Sequence, residues 1–148
     1  MRVRHFERFG LGLVLGLLAA ACAGSSSSSP DAAQQAVAST GARLEGDWTL
    51  IEFQPVQPLE PMFAALLTAQ MNQMQVSFHG TRMTVQGIGV QAERTINVTQ
   101  AAADGFDAVI TDPTNVSYQV SGAFQGRDLA FTSKSDPWRG QGRLRRAH

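Results

Sequence analysis

Between residues 44 and 146 apolar and polar residues alternate in short runs, and glycine, proline or aspartate closes almost every run. A period of two sends successive side chains to opposite faces, so each run reads as a strand with one apolar side. In the first run, 44–53, Trp48, Leu50 and Glu52 share one face and Ile51 and Phe53 the other. Residues 75–79 and 82–85 flank Gly80-Thr81 as a hairpin, with Val76, Phe78, Met83 and Val85 on its inner face. In 94–99, Ile96 and Val98 point inward. Runs at 106–111, 116–120, 129–132 and 141–145 follow, separated by Asp112-Pro113, Gly126-Arg127-Asp128 and Asp136-Pro137. About eight short strands on tight connections predict a mainly β fold, an antiparallel meander. A meander this short exposes two unpaired edges unless it closes, which predicts a barrel.

One helix interrupts the pattern after the first strand. Met62, Phe63, Leu66, Leu67, Met71 and Met74 recur at three- and four-residue spacing, and Pro61 suits a first helical position. Pro55, Pro58 and Pro61 make the lead-in stiff and extended. The apolar stripe predicts a helix packed on one end of the barrel as a plug. The competing reading is a lid over a ligand.

The N-terminus carries a different signal. Arg2, Arg4 and Arg8 precede an apolar run from Leu11 to Ala21, and Cys22 follows as the single cysteine. That run is shorter than the ~20 residues a bilayer-spanning helix needs, so 1–21 reads as a cleaved export signal. Ala19-Ala20-Ala21-Cys22 resembles the lipobox of bacterial lipoproteins. The resemblance implies cleavage before Cys22 and acylation of its thiol, which leaves no thiol for disulfides, metal or nucleophilic chemistry. Ala23, where an aspartate would retain such a protein at the inner membrane, implies sorting to the outer membrane. Several acyl chains, each worth about 0.8 kcal/mol per buried methylene, hold stably where one does not. Residues 22–42 then read as a lipidated cysteine and a flexible linker, because five serines at 25–29 and a polar Ala/Gln stretch offer little surface to dock. A fraying helical turn near Asp31 is the most order expected there. The folded domain is 43–147.

Gly46-Asp47-Trp48 resembles the Gly-x-Trp first strand of lipocalins and of small bacterial lipocalin-like domains. The resemblance implies that Trp48 seals one barrel end beneath an arginine from the last strand, with Arg143, Arg145 and Arg146 as candidates and Arg145 preferred. The short domain and the early helix depart from the family, so its deep ligand cup does not carry over.

Loss of 1–21 removes three of twelve basic residues and one of twelve acidic ones, leaving a net charge near −2. No basic patch marks a nucleic-acid partner. His79 sits at a hairpin turn, no histidine pair has metal-ligand spacing, and no Gly-rich phosphate loop occurs. The sequence therefore points to no enzyme, no metal and no cofactor. Glu52, on the face of Trp48 and Leu50, is expected at the barrel mouth, where it could orient a ligand. Trp138 and Arg139 after Pro137 are the candidate interface pair, since tryptophan and arginine are typical of hot spots.

The leading functional expectation is a membrane-anchored, non-catalytic interaction module of the cell envelope that holds a partner protein at the Trp138–Arg139 rim. The alternative is a carrier or sensor of a small apolar ligand or lipid. Trp48, Phe78, Met83, Phe106, Tyr118 and Phe131 are large for so small a domain and predict a filled or shallow interior.

Overall fold

The computed structural model describes residues 29–87, 89–135 and 139–148. Helix α1 (Pro30–Leu44) leads into β1 (Gly46–Pro55), and α2 (Pro61–Gln70) runs into a single 3-10 turn (Met71–Gln73). Seven strands follow: β2 (Gln75–His79), β3 (Arg82–Gly87), β4 (Val90–Ala101), β5 (Gly105–Thr111), β6 (Ser117–Gln125), β7 (Asp128–Ser133) and β8 (Gly140–Arg146). Each strand pairs antiparallel with the next, and β8 returns to β1, so the eight strands close into a barrel without a free edge. The meander and its closure are as expected, although β4 and β6 run several residues beyond the alternating runs that announced them.

The inner faces supply one core, in which Trp48, Leu50, Val76, Phe78, Val85, Ile96, Phe106, Phe124, Leu129 and Leu144 are buried. Gly122 and Gly142 lie opposite Phe106 and Phe131 on neighbouring strands. A Cβ at either glycine would collide with the facing ring. Their bare backbone lets both aromatic rings lie across the barrel wall. The outer face carries ion pairs, including Arg82–Glu93 at 3.0 Å and Arg145–Asp128 at 2.8 Å. A barrel embedded in lipid shows an apolar band there instead. Among the described residues no helix is long and apolar enough to cross a membrane.

One end of the barrel is shut. Trp48 is 2% exposed, and its indole N–H donates to the Leu44 carbonyl at 2.8 Å. The Arg146 guanidinium stacks 4.5 Å from the Trp48 ring and donates to the Glu45 carbonyl at 2.9 Å and to the Arg43 carbonyl. Arg146, not Arg145, therefore closes the barrel. Directly opposed residues of antiparallel strands share a face, and Trp48 opposes Arg146 while Thr49 opposes Arg145. Arg145 consequently points outward, where it forks onto Asp128 at 2.8 and 3.0 Å.

The stretch expected to be linker is a helix from Pro30 onward. Proline at the first turn and a run of alanine and glutamine favour it locally. Its last turn docks: Thr40 and Leu44 are buried, and Arg43 stacks 4.0 Å from the Phe124 ring while donating to the Ala103 carbonyl at 2.7 Å. Ala36, Val37 and Gly41 are half-buried on the same side, but these side chains are too small and Thr40 too polar to make an apolar stripe that periodicity would reveal.

The expected plug is not one. Helix α2 has no buried residue, and Met62, Phe63 and Leu66 are 80%, 60% and 41% exposed. Only Met71 and Met74, after the helix, pack against the core, and the Met74 carbonyl accepts from the Leu50 N–H at 2.9 Å. The stripe has the right spacing, but only its C-terminal part, from Leu67 to Met74, comes up against the barrel.

Candidate functional site

The end of the barrel opposite Trp48, near α2, is the mouth. Inside lies an apolar cavity of about 200 Å³. Leu44, Phe106 and Leu129 form part of its lining toward the closed end, and Leu50, Val76, Phe78, Ile96 and Leu144 line its middle. Toward the mouth it meets Phe53, Ile110, Val120 and Phe131, with Leu67 of α2 and Met74 alongside. Phe53 and Phe131 stack with centroids 6.4 Å apart. The interior is thus neither solid nor a deep cup. The expectation of a filled or shallow barrel held for the closed end, where large aromatics meet. Farther up the barrel is not filled: an apolar cavity of about 200 Å³ remains.

Three polar side chains face this space, all from strand residues near the mouth: Arg94, Tyr118 and Ser133. Arg94 opposes Met83 of β3 and lies two residues before the buried Ile96, so the pleat turns it inward. Its Nε is buried and has no hydrogen-bond partner. The Tyr118 hydroxyl donates to Asp112 Oδ2 at 3.3 Å. Asp112 organises the connection between β5 and β6: its Oδ1 accepts from Thr114 N at 2.8 Å, Thr114 Oγ1 at 2.7 Å and Val116 N at 3.0 Å. These bonds, led by the Thr114 hydroxyl, hold the Asp112 carboxyl below the usual carboxylate range. Asn115 takes φ 65° to complete the turn, a conformation asparagine tolerates better than most residues. The mouth loop therefore braces one wall of the cavity through Tyr118.

Glu52 is not in this site. The pairing of β1 with β8 shifts register between Leu50 and Glu52. A bulge inserts one residue and inverts the faces beyond it. Phe53 turns inward and Glu52 outward, where it accepts from Arg143 Nη2 at 2.6 Å with both side chains nearly half exposed. Arg139 is exposed at the β7–β8 connection, and its carbonyl accepts from the Val56 N–H at 3.0 Å. Trp138 and Cys22 lie outside the described residues. Trp48 and Arg146 belong to the closed end and take no part in the cavity.

Sequence reasoning missed Arg94, though the signal was present. The alternation that put Ile96 and Val98 inside extends back two residues to Arg94. Among the described residues no cluster of three His, Cys, Asp or Glu side chains forms that could hold a metal ion. No family model, no curated protein and no solved structure matches the chain.

Proposed function

We propose that this protein is a lipid-anchored carrier or sensor of a small, mostly apolar ligand held inside the barrel. The apolar cavity of about 200 Å³ is the observation that carries this reading. A site of this kind buries the ligand in hydrophobic walls and orients it with a few polar groups, and Arg94, Tyr118 and Ser133 are those groups here. The lipobox-like Ala19-Ala20-Ala21-Cys22 supports acylation at Cys22 and attachment to the cell envelope, with the outer membrane favoured by Ala23.

Native mass spectrometry of the processed chain tests the carrier reading. A co-purifying adduct of small mass that leaves on denaturation is the expected result, and a uniformly bare chain that also takes up no added amphiphile refutes it. The anchor is tested separately. Cys22→Ser is expected to move the protein from the membrane to the soluble fraction, and unchanged membrane retention refutes acylation at Cys22.

A second reading rests on exposed apolar residues near the mouth. Val56, Met62 and Phe63 are each at least 60% exposed, and contiguous exposed apolar surface marks interaction sites. On that reading the mouth docks on an envelope protein, close to the rim at Arg139 first suggested by the sequence.

A further inference from the structure

We infer that the ligand is a single-chain amphiphile with an anionic head, a short or medium-chain carboxylate, whose head pairs with Arg94. The inference rests on the carrier reading and names its ligand class. An arginine that lines an apolar cavity costs free energy unless its charge and donors are met. Among the described lining residues there is no aspartate or glutamate. The nearby acids are engaged elsewhere. Glu93, next in the chain, points outward to Arg82 at 3.0 Å. Asp112 is held by Thr114, Val116 and Tyr118. Among the described residues the Arg94 side chain makes neither a hydrogen bond nor an ion pair, and its Nε is shielded from water. A guanidinium offers a planar fork of donors that matches a carboxylate two bonds at a time.

The rest of the ligand is set by the walls. Beyond Arg94, Tyr118 and Ser133 the lining is apolar. A dry cavity of about 150 Å³ takes benzene, so 200 Å³ suits a tail of roughly eight non-hydrogen atoms. With Arg94 toward the mouth, the tail runs down toward Phe106 and Leu129 while the head stays near the rim. An acyl chain of more than about twelve carbons is too long for this space unless the mouth end opens.

Calorimetry with octanoate and 1-octanol tests the head directly, since the two share a tail and differ in charge. The protein is the processed chain from residue 22 with Cys22→Ser, which keeps every described element and needs no detergent. Octanoate is expected to bind at least tenfold more tightly than octanol at neutral pH. Arg94→Met is expected to abolish that preference while leaving octanol binding intact, which also shows that the variant is folded. Arg94→Lys, which keeps a charge but loses the fork, is expected to fall between. If the native chain binds both ligands equally, the anionic head is refuted and the carrier reading stands. Arg94→Met retaining the preference likewise refutes the role of Arg94. If neither ligand binds, both readings fail. Should Arg94→Met not fold, Arg94→Gln replaces it, judged by the same ratio.

Discussion

The two ends of this barrel use a similar ingredient, a helix joined to β1, with opposite results. At the closed end α1 buries Thr40 and Leu44, Arg43 donates to the Ala103 carbonyl, and the Leu44 carbonyl accepts from the Trp48 indole. At the mouth α2 brings a much larger apolar stripe, yet Met62 and Phe63 stay in solvent and only Leu67 reaches the cavity. Helix docking here follows from complementary surface, not from the apolar content of the helix. A short helix is marginal by itself, so α2 has the loose seating a lid over the cavity needs, and α1 has the fixed seating of a floor.

The sharpest way to break this comparison is a pair of aromatic truncations. Trp48→Ala is expected to cost about 3–5 kcal/mol, the range for a large buried aromatic. Phe63→Ala should change stability by no more than about 0.5 kcal/mol, as an exposed side chain does. Urea unfolding of both variants measures the difference. Similar losses would mean that α2 is as much a part of the core as the Trp48 end.

Arg146→Met addresses the closed end more finely. It removes the stack on Trp48 and leaves the Glu45 and Arg43 carbonyls without their donor. A loss of about 1–3 kcal/mol is expected. Arg145→Met removes only the fork onto Asp128 on the outer face and is expected to cost less than Arg146→Met. The reverse order would reassign the closing arginine.

Hydrogen exchange compares the two helices directly. Amides in the last turn of α1 should be protected nearly as well as those of the strands, and those of α2 far less. Octanoate is expected to raise protection in α2. Equal protection of α2 and the strands in the free protein would show a plug and not a lid.

The smallest expected effect is in acid. Glu45, near the closed end, is held below its usual value by the Gly80 N–H and by His79, and Asp112, at the mouth, by Thr114 and its neighbours. A carboxyl lowered on folding stabilises the fold above its unfolded pKa, and that contribution is lost as pH falls through the folded value. Stability should therefore decline below about pH 4. Asp112→Asn and Glu45→Gln should each flatten that acid limb slightly. An unchanged limb in both would show that other carboxylates govern it.

The strands were legible because their information is local. Alternation at Val76, Phe78, Ile96 and Val98 needs only a pleat and one buried side, and the tight turns fix who pairs with whom. Glu52 was misplaced because a bulge is a negotiation between two strands: nothing in the run around Leu50 announces that β8 will slip past it by one residue. The linker was misjudged because contacts that seat α1 come from far along the chain: Arg43 meets Ala103 and Phe124, and its carbonyl accepts from Arg146. The site was half legible. Its apolar walls follow from the alternation, and Arg94 could have been found by extending that pattern.

By itself, then, the amino-acid sequence determined the eight strands, much of the inward set from Val76 to Val98, the placement of Trp48 at a barrel end and the position of the second helix. These follow from short-range periodicity and turn chemistry, which act within a few residues. Only the tertiary structure decided that Arg146 closes the barrel, that Glu52 faces out, that α1 is seated and α2 is not, and that an unpartnered Arg94 overlooks an apolar cavity. Those outcomes depend on strand register and on which surfaces remain uncovered once the barrel has closed. They belong to pairs of distant segments, and neither segment alone contains them.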